Sequence, residues 1–334
     1  RPQYNRLQGV LALSGPLRIP RLLRNGPNMT LNYQWTRNSD ASTRTGLMPT
    51  TAERNGDFSN RPVIYDPQTG GSFPNNTIPA SRISPQAKSL LDLYPLPNFA
   101  HERYNYQIPV IGATHQDSLQ LRGNQRLSQK NQLSGNLSYQ STRIDNPNIF
   151  NFLDVTDSTG INSGLSWLHT FQPRLYAVFG MQFSRLSSLT TPYFANRANV
   201  SGEAGIAGNN QDAVNWGPPA LSFSSGIAAL TDAQYSRTAN QTTGVSVDAG
   251  WGRGRHTFLF GGALRWQQFN VLSQEDPRGM FTFTGASAGS DFAGFLLGIP
   301  DASSIAFGNA DKYLRGTSTD AYINDDWRLR RDLP

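Results

Sequence analysis

The stretch from Thr243 to Leu272 constrains the fold more than any other. Every second residue from Thr243 (Val245, Val247, Ala249, Trp251) is apolar or β-branched, and Gly244, Ser246, Asp248 and Gly250 stand between them. A basic, glycine-rich turn follows at Gly252-Arg253-Gly254-Arg255. The alternation then resumes. His256, Phe258, Phe260, Gly262, Leu264 and Trp266 share one face, and Thr257, Leu259, Gly261, Ala263, Arg265 and Gln267 share the other. A period of two specifies strands, because successive side chains leave a strand on opposite sides. Two such runs around a tight turn predict a hairpin. One face is apolar with tryptophan at both rims, and the other is small, polar or charged. A half-buried soluble sheet and a membrane barrel with a wet lumen both satisfy this pattern.

The same grammar recurs along the 334 residues. Gly9 to Leu17 predicts a first strand. Met29, Leu31, Tyr33 and Trp35 alternate with Thr30, Asn32, Gln34 and Thr36. Leu119 and Leu121 alternate with Gln120 and Arg122. Leu133, Leu137 and Tyr139 alternate with Ser134, Asn136 and Ser138. Ile161, Leu165 and Trp167 lead into a turn at Gln172-Pro173-Arg174 and on to Ala177, Phe179 and Met181. Met280 to Thr284 predicts a short strand and Gly316 to Leu329 a last one, with Ala321, Ile323 and Trp327 outward. The total is about nine or ten strands. Between them lie two long polar stretches, about 38–114 and 185–241, and a moderately long link at Arg143 to Thr159. Within the first, Ser84 as N-cap, Pro85 at the first position and Ala87, Leu90, Leu91 and Tyr94 on one stripe predict a helix that stops at Pro95. Ser290 or Asp291 caps a second helix through Phe292, Phe295 and Leu296, ending at Gly298 and Pro300.

Short basic turns thus alternate with long loops. A soluble sandwich has no reason to segregate its connections this way, whereas outer-membrane barrels have short periplasmic turns, long extracellular loops, an outward apolar band and aromatic girdles. Closure also removes sheet edges that lipid cannot satisfy. The predicted fold is therefore all-β, a partial transmembrane antiparallel barrel with all 334 residues in one barrel domain. At 37% hydrophobic residues and a mean hydropathy of -0.47, no run approaches the ~20 apolar residues of a membrane helix. Alternating strands dilute their own hydropathy, so a barrel is untouched by that count.

The net charge of +6 and pI of 9.7 invite a nucleic-acid reading. The basic residues instead gather at turns (Arg18, Arg21 and Arg24; Lys130; Arg174; Arg253 and Arg255; Arg328, Arg330 and Arg331), without a helix or an aromatic platform, and no nucleic-acid partner is expected. Zero cysteine removes disulfides, thiolate metal sites and cysteine nucleophiles. His101, His115, His169 and His256 lack ligand spacing, so no metal is expected. Asp325-Asp326 reads as a solvated pair. Gly250 to Gly254 lacks the strand-to-helix context of a phosphate loop. No grouping supports catalysis, and no cofactor is expected. Candidate lumen residues are Arg122, Arg126, Asn136, Asp248, Arg265 and Gln267, polar wall by default. Candidate girdle residues are Tyr33, Trp35, Tyr139, Trp167, Trp251 and Trp266, placed where amphipathic rings meet head groups.

Several landmarks resemble one family in its own order. They are Arg54-Asn55-Gly56-Asp57-Phe58-Ser59, Ile64-Tyr65-Asp66-Pro67, Ile78-Pro79-Ala80-Ser81-Arg82-Ile83-Ser84-Pro85 and Tyr94-Pro95-Leu96-Pro97-Asn98. Phe292 to Pro300, Tyr322-Ile323-Asn324-Asp325-Asp326-Trp327-Arg328 and, before the first loop, Gly15 to Pro20 complete the set. Together they resemble Oar-like TonB-dependent transporters. The resemblance implies a 22-stranded outer-membrane barrel with an N-terminal plug, energised through the TonB complex, with outer-membrane lipid around it and a small nutrient as ligand. The chain is expected to be an internal slice of such a barrel, with signal peptide, plug, TonB-contacting segment and C-terminal strands lying outside it. The expected function is active uptake of an oligosaccharide, a peptide or a metal chelate. A non-transporting surface or adhesion protein and a soluble secreted carbohydrate-binding β-protein are the alternatives.

Overall fold

The computed structural model describes residues 4–18, 26–101, 103–306 and 308–329. Nine long strands form one antiparallel sheet: β1 (Tyr4–Pro16), β2 (Asn28–Gly46), β3 (Tyr106–Arg126), β4 (Asn131–Pro147), β5 (Leu153–Gln172), β6 (Leu175–Thr191), β8 (Ser236–Arg253), β9 (His256–Ser273) and β12 (Asp311–Trp327). Each pairs with its neighbour in that order, and among the described residues β1 and β12 do not pair. The intervening β7 (Ala220–Phe223), β10 (Met280–Phe283) and β11 (Ala302–Ser304) form a separate three-stranded sheet, in which β10 runs parallel to β7 and antiparallel to β11. Four short helices, α1 (Thr51–Arg54), α2 (Pro85–Leu91), α3 (Val200–Glu203) and α4 (Asp291–Leu297), lie in the long connections.

The expected N-caps act as read, although α2 ends at Leu91, short of the expected stop at Pro95. The Ser84 hydroxyl accepts from the Ala87 N–H and Pro85 opens α2; Ser290 caps α4, and Gly298 ends it with φ of 72°. The strand bounds differ from the sequence reading. β2 and β3 stay paired out to Gly46 and Tyr106, so the first unpaired connection is 47–105 rather than about 38–114. The second is 192–235 rather than 185–241. The expected link from Arg143 to Thr159 shrinks to residues 148–152, because β4 and β5 pair out to Pro147 and Leu153. The last strand begins at Asp311. The outer part of β2 is polar on both faces, and that of β3 is apolar on both (Ile108 and Val110 on one, Pro109 and Ile111 on the other), so alternation vanishes while the ladder hydrogen bonds continue. Arg21, Arg24, Arg330 and Arg331, with Ile19 and Pro20, lie outside the described residues.

A 21-residue strand such as β3, at ~3.4 Å per residue and tilted ~45°, rises about 50 Å, twice the ~25 Å apolar band of a membrane barrel. The upper half therefore stands clear of lipid. There the four long-end connections fold together into a cap. Proline aside, buried apolar side chains of the wall are Val110 and Ala177 among the described residues. All the others belong to the cap, including Met48, Phe58, Ile64, Ile78, Leu221, Leu230, Phe292 and Leu296, each at most 2% exposed. Phe223, Phe283, Phe292 and Phe295 form its aromatic centre, with ring centroids 5.4–6.2 Å apart.

Candidate functional site

The wall is built from lateral rows. Residues paired across neighbouring strands share a face, so register converts local alternation into continuous stripes. One row runs Ser14, Thr30, Arg122, Asn136, Gly164, Gln182, Gly244, Arg265 and Ser318 across all nine strands. The next row toward the cap runs Ala12, Asn32, Gln120, Ser138, Asn162, Ser184, Thr242, Gln267 and Gly316. The sheet curls around this small polar face, enclosing a hollow of about 1070 Å³ that reaches from Ser14 to Arg265.

All six lumen candidates fall on this concave face. Arg122, Asn136 and Arg265 share the first row, and Gln267 sits one row capward. Arg126 and Asp248 share a row nearer the short turns, with Gln132, Leu168, Val178 and Gly261 between or beside them. Arg265 is paired with Asp320 at 2.7 Å, and the Tyr322 hydroxyl donates to Asp248 at 2.8 Å. Arg126 donates to the Ser128 carbonyl at 3.3 Å. The Asn136 amide occupies the space above Gly164, where a Cβ would lie 2.6 Å from its oxygen. Arg122 has no hydrogen-bond or ionic partner among the described residues. Thr30, Gln182 and Ser246 belong to the same wall and were not singled out from sequence, although each sits at the polar phase of an alternating run.

The six aromatic candidates fall on the opposite, convex face with Leu165, Phe179, Met181, Val245, Val247 and Phe260; all of these are exposed except Tyr33 and Trp35, which are half-buried. Tyr33, Trp35, Tyr139 and Trp266 lie capward; Trp167 and Trp251 lie toward the short turns. Eight residue steps, ~27 Å of strand, separate Trp266 from Phe258, the cross-strand partner of Trp251. Tyr33 and Trp35 stack at 5.7 Å, and Trp35 lies over Gly9, where a Cβ would come within 1.9 Å of the ring. Trp167 stacks on Phe179 at 5.3 Å and donates to the Asn131 side chain at 3.0 Å.

The cap is the part of the site that sequence reading left as partly ordered loop. Several of its clasps are landmark residues. Arg54 donates to the carbonyls of Pro49, Leu91, Tyr94 and Pro95, satisfying the end of α2. Arg82 forks onto Asp66, and this pairing holds the Asp66 carboxyl below its ordinary range. The Tyr94 hydroxyl reaches the Ala228 carbonyl at 3.0 Å, tying the first connection to the third; burial raises its pKa. Arg278, in the fourth connection, is buried against Asp232 and also donates to the carbonyls of Trp216 and Ala233. Burial pushes the Asp232 carboxyl up to about 7, against the pull of Arg278. Asp301 accepts from Ser287, Thr284 and Gly285, and these bonds, the Ser287 hydroxyl foremost, hold it down to about 2. Asp154 of β5 accepts from the Tyr193 and Ala233 amides and fastens the cap to the wall. Between connections one, three and four lies a cleft of about 340 Å³. Among the described residues no group of three His, Asp or Glu is arranged to hold a metal ion.

A curved antiparallel wall with a convex apolar face, a concave polar face and long connections at one end defines an outer-membrane β-barrel. The chain belongs to the family described as outer membrane beta barrel domain, which matches residues 1–334, and it is an outer-membrane protein. Its place there removes the soluble secreted alternative. No curated protein matches the sequence. Among solved structures it is similar to the outer membrane transporter YddB of Escherichia coli, with a TM-score of 0.48 and 8% identity over 97% of this chain and 32% of that one. It is also similar to the ferric yersiniabactin uptake receptor FyuA of Yersinia pestis (TM-score 0.36, 8% identity, 98% and 40% covered). A third is the siderophore receptor PiuA of Acinetobacter baumannii (TM-score 0.35, 10% identity, 97% and 39% covered). The chain thus spans between 32% and 40% of the length of these three structures.

Proposed function

We propose that this chain is wall and cap of an Oar-like, TonB-dependent transporter that takes up a scarce nutrient. The observation that carries the reading is a concave nine-stranded wall, lined by polar rows, whose edge strands β1 and β12 do not pair among the described residues. Barrel diameter grows with strand number, small barrels fill with side chains, and the widest enclose a plugged lumen. Here the nine strands leave β1 and β12 apart and surround open, water-compatible space. The inner rows are mostly Ser, Thr, Asn and Gln, which offer hydrogen bonds to a polar solute without trapping it as a dense charge would. Arg122, Arg126, Asn136, Asp248, Arg265 and Gln267 are the proposed lumen contacts. Tyr33, Trp35, Tyr139, Trp167, Trp251 and Trp266 are the proposed interfacial girdle. The ordered cap is the proposed entrance, and TonB the proposed energy coupler.

A second reading, surface attachment, draws support from the exposed Val63, Tyr65 and Leu96 on the cap. One experiment separates the two. A strain lacking the full-length gene is fed labelled oligosaccharide, peptide or metal chelate under limitation, with and without an uncoupler of the proton-motive force. Transport predicts that accumulation of one class is lost on deletion and also on uncoupling. Unchanged accumulation of all three, with reduced attachment to a surface, would overturn transport in favour of adhesion.

A further inference from the structure

Charge is missing from one band of the lumen wall. On the wall strands from β2 to β9, the concave row through Asn162 and the two rows capward of it hold no charged residue. Every position in them is Ser, Thr, Asn or Gln, apart from Gly160, Leu186, Phe269 and Val271. The strands are not short of charge at this height. The convex rows that interleave with the band or border it carry Arg37, Asp117, Arg143, Asp157, Arg185 and Arg237. Toward the short turns the concave face itself is charged, at Arg122, Arg126, Asp248 and Arg265. Neutrality is therefore a property of the lumen face of this band.

Within the band a hollow of about 300 Å³ lies over β4, β5, β6 and β8. Gly160 lines it, and because that cross-strand partner has no side chain, Leu186 stands 59% exposed among hydroxyls and amides. Asn162, Ser184, Asn240 and Thr242 line the same hollow, and their side chains have no hydrogen-bond partner among the described residues. Asn240 pairs across the strands with Phe269, which is 39% exposed and lies two strand spacings, roughly 10 Å, from Leu186. An amide offers a donor and an acceptor together and a hydroxyl offers either, which is the pattern a polyol presents in return. Exposed apolar side chains between such groups match the C–H faces of sugar rings. An anionic chelate or a peptide terminus finds no opposite charge here to offset its desolvation. We propose that this hollow is a saccharide subsite: a neutral oligosaccharide lays ring faces on Leu186 and Phe269 and exchanges hydrogen bonds with Asn162, Asn240 and Thr242. The proposal names a substrate class for the transport reading above and rests on that reading for the onward passage of the sugar.

The test applies the full-length protein, in nanodiscs, to an array of oligosaccharides of varied linkage, each present in a neutral, a uronate and an amine-bearing form. Neutral members should bind at least about tenfold tighter than their charged counterparts. Removing one amide should weaken the best neutral ligand about fivefold, and Asn162→Ala/Asn240→Ala about 25-fold. The nearly isosteric pair Asn162→Asp/Asn240→Asp should turn the preference toward the amine-bearing form, a gain that only folded protein can show. Ser187→Ala, beside Leu186 but on the convex face, should bind as wild type does. Binding of no neutral saccharide, a wild-type preference for a charged form, or undiminished binding by the alanine pair would overturn the proposal. Uptake separates this failure from that of the transport reading. Accumulation of a bound neutral saccharide that ignores an uncoupler would sink transport and leave the subsite standing. Uncoupler-sensitive uptake of a peptide or metal chelate, with no saccharide bound, would do the reverse.

Discussion

Phe260 and Ala263 sit three residues apart on β9 and face opposite media. Phe260 lies in the convex row with Ala249 and Ile323, at 41% exposure, whereas Ala263 lies in the concave row with Ser246 and Asp320. Arginine at Phe260 would place a charge in hydrocarbon, at a cost of about 2–4 kcal/mol. Arginine at Ala263 meets water and the Asp320 carboxylate, so its effect should be much smaller. Denaturant midpoints of the two variants in lipid vesicles check this, and equal losses would mean the faces are assigned the wrong way round. At the same scale, Phe292 is 2% exposed at the centre of the cap, against Phe58, Phe223 and Phe295. Phe292→Ala should cost about 3–5 kcal/mol, localised to the cap. Limited proteolysis should cut the connections of that variant while the wall strands stay resistant.

The elements divide into those a sequence reveals and those it hides. The hairpin of β8 and β9 was legible because one face is apolar and the other wet along its length. The capward ends of β2 and β3 were not. In Asn38 to Gly46 both faces carry polar residues, and backbone pairing, which needs no particular side chain, continues without a pattern. The cap was hidden for a different reason. Met48, Phe58, Ile64, Phe73, Leu221 and Phe283 come from three connections and meet only in space, so no local period announces them. The landmark residues marked that stretch by resemblance alone, and Arg54, Asp66, Arg82 and Tyr94 among them tie the cap together. Its acid stability follows from its carboxylates. Asp301, Asp66 and Asp57 all have folded pKa values below the ordinary range: Asp301 through the Ser287 hydroxyl and Thr284 amide, Asp66 through Arg82, Asp57 through the Ser59 amide. Such groups stabilise the fold above the unfolded value of ~3.9 and lose that contribution as pH falls, for Asp301 down to about 2. Asp232 has the opposite sign. Its contribution is present below ~3.9 and is lost as pH rises toward about 7. Near-ultraviolet circular dichroism, which reads the packed cap rings, should therefore decline steeply from pH 4 to 2. Asp301→Asn should flatten that decline and leave the upper limb in place.

For the whole molecule, the account rests on one division of space: lipid against the convex face, water against the concave one, with the cap above both. These 334 residues contain no cysteine, so with any cysteine elsewhere in the full-length protein replaced by serine that division is directly measurable. Single cysteines at successive positions from Thr257 to Arg265, in the full-length protein reconstituted in lipid, can each carry a nitroxide spin label. Collision with oxygen, which concentrates in hydrocarbon, and with a water-soluble nickel chelate then reports the medium at each residue. The account predicts strict alternation: oxygen dominates at Phe258, Phe260, Gly262 and Leu264, and nickel at Thr257, Leu259, Gly261, Ala263 and Arg265. Uniform exposure to the chelate at every position, or alternation in the opposite phase, would contradict it.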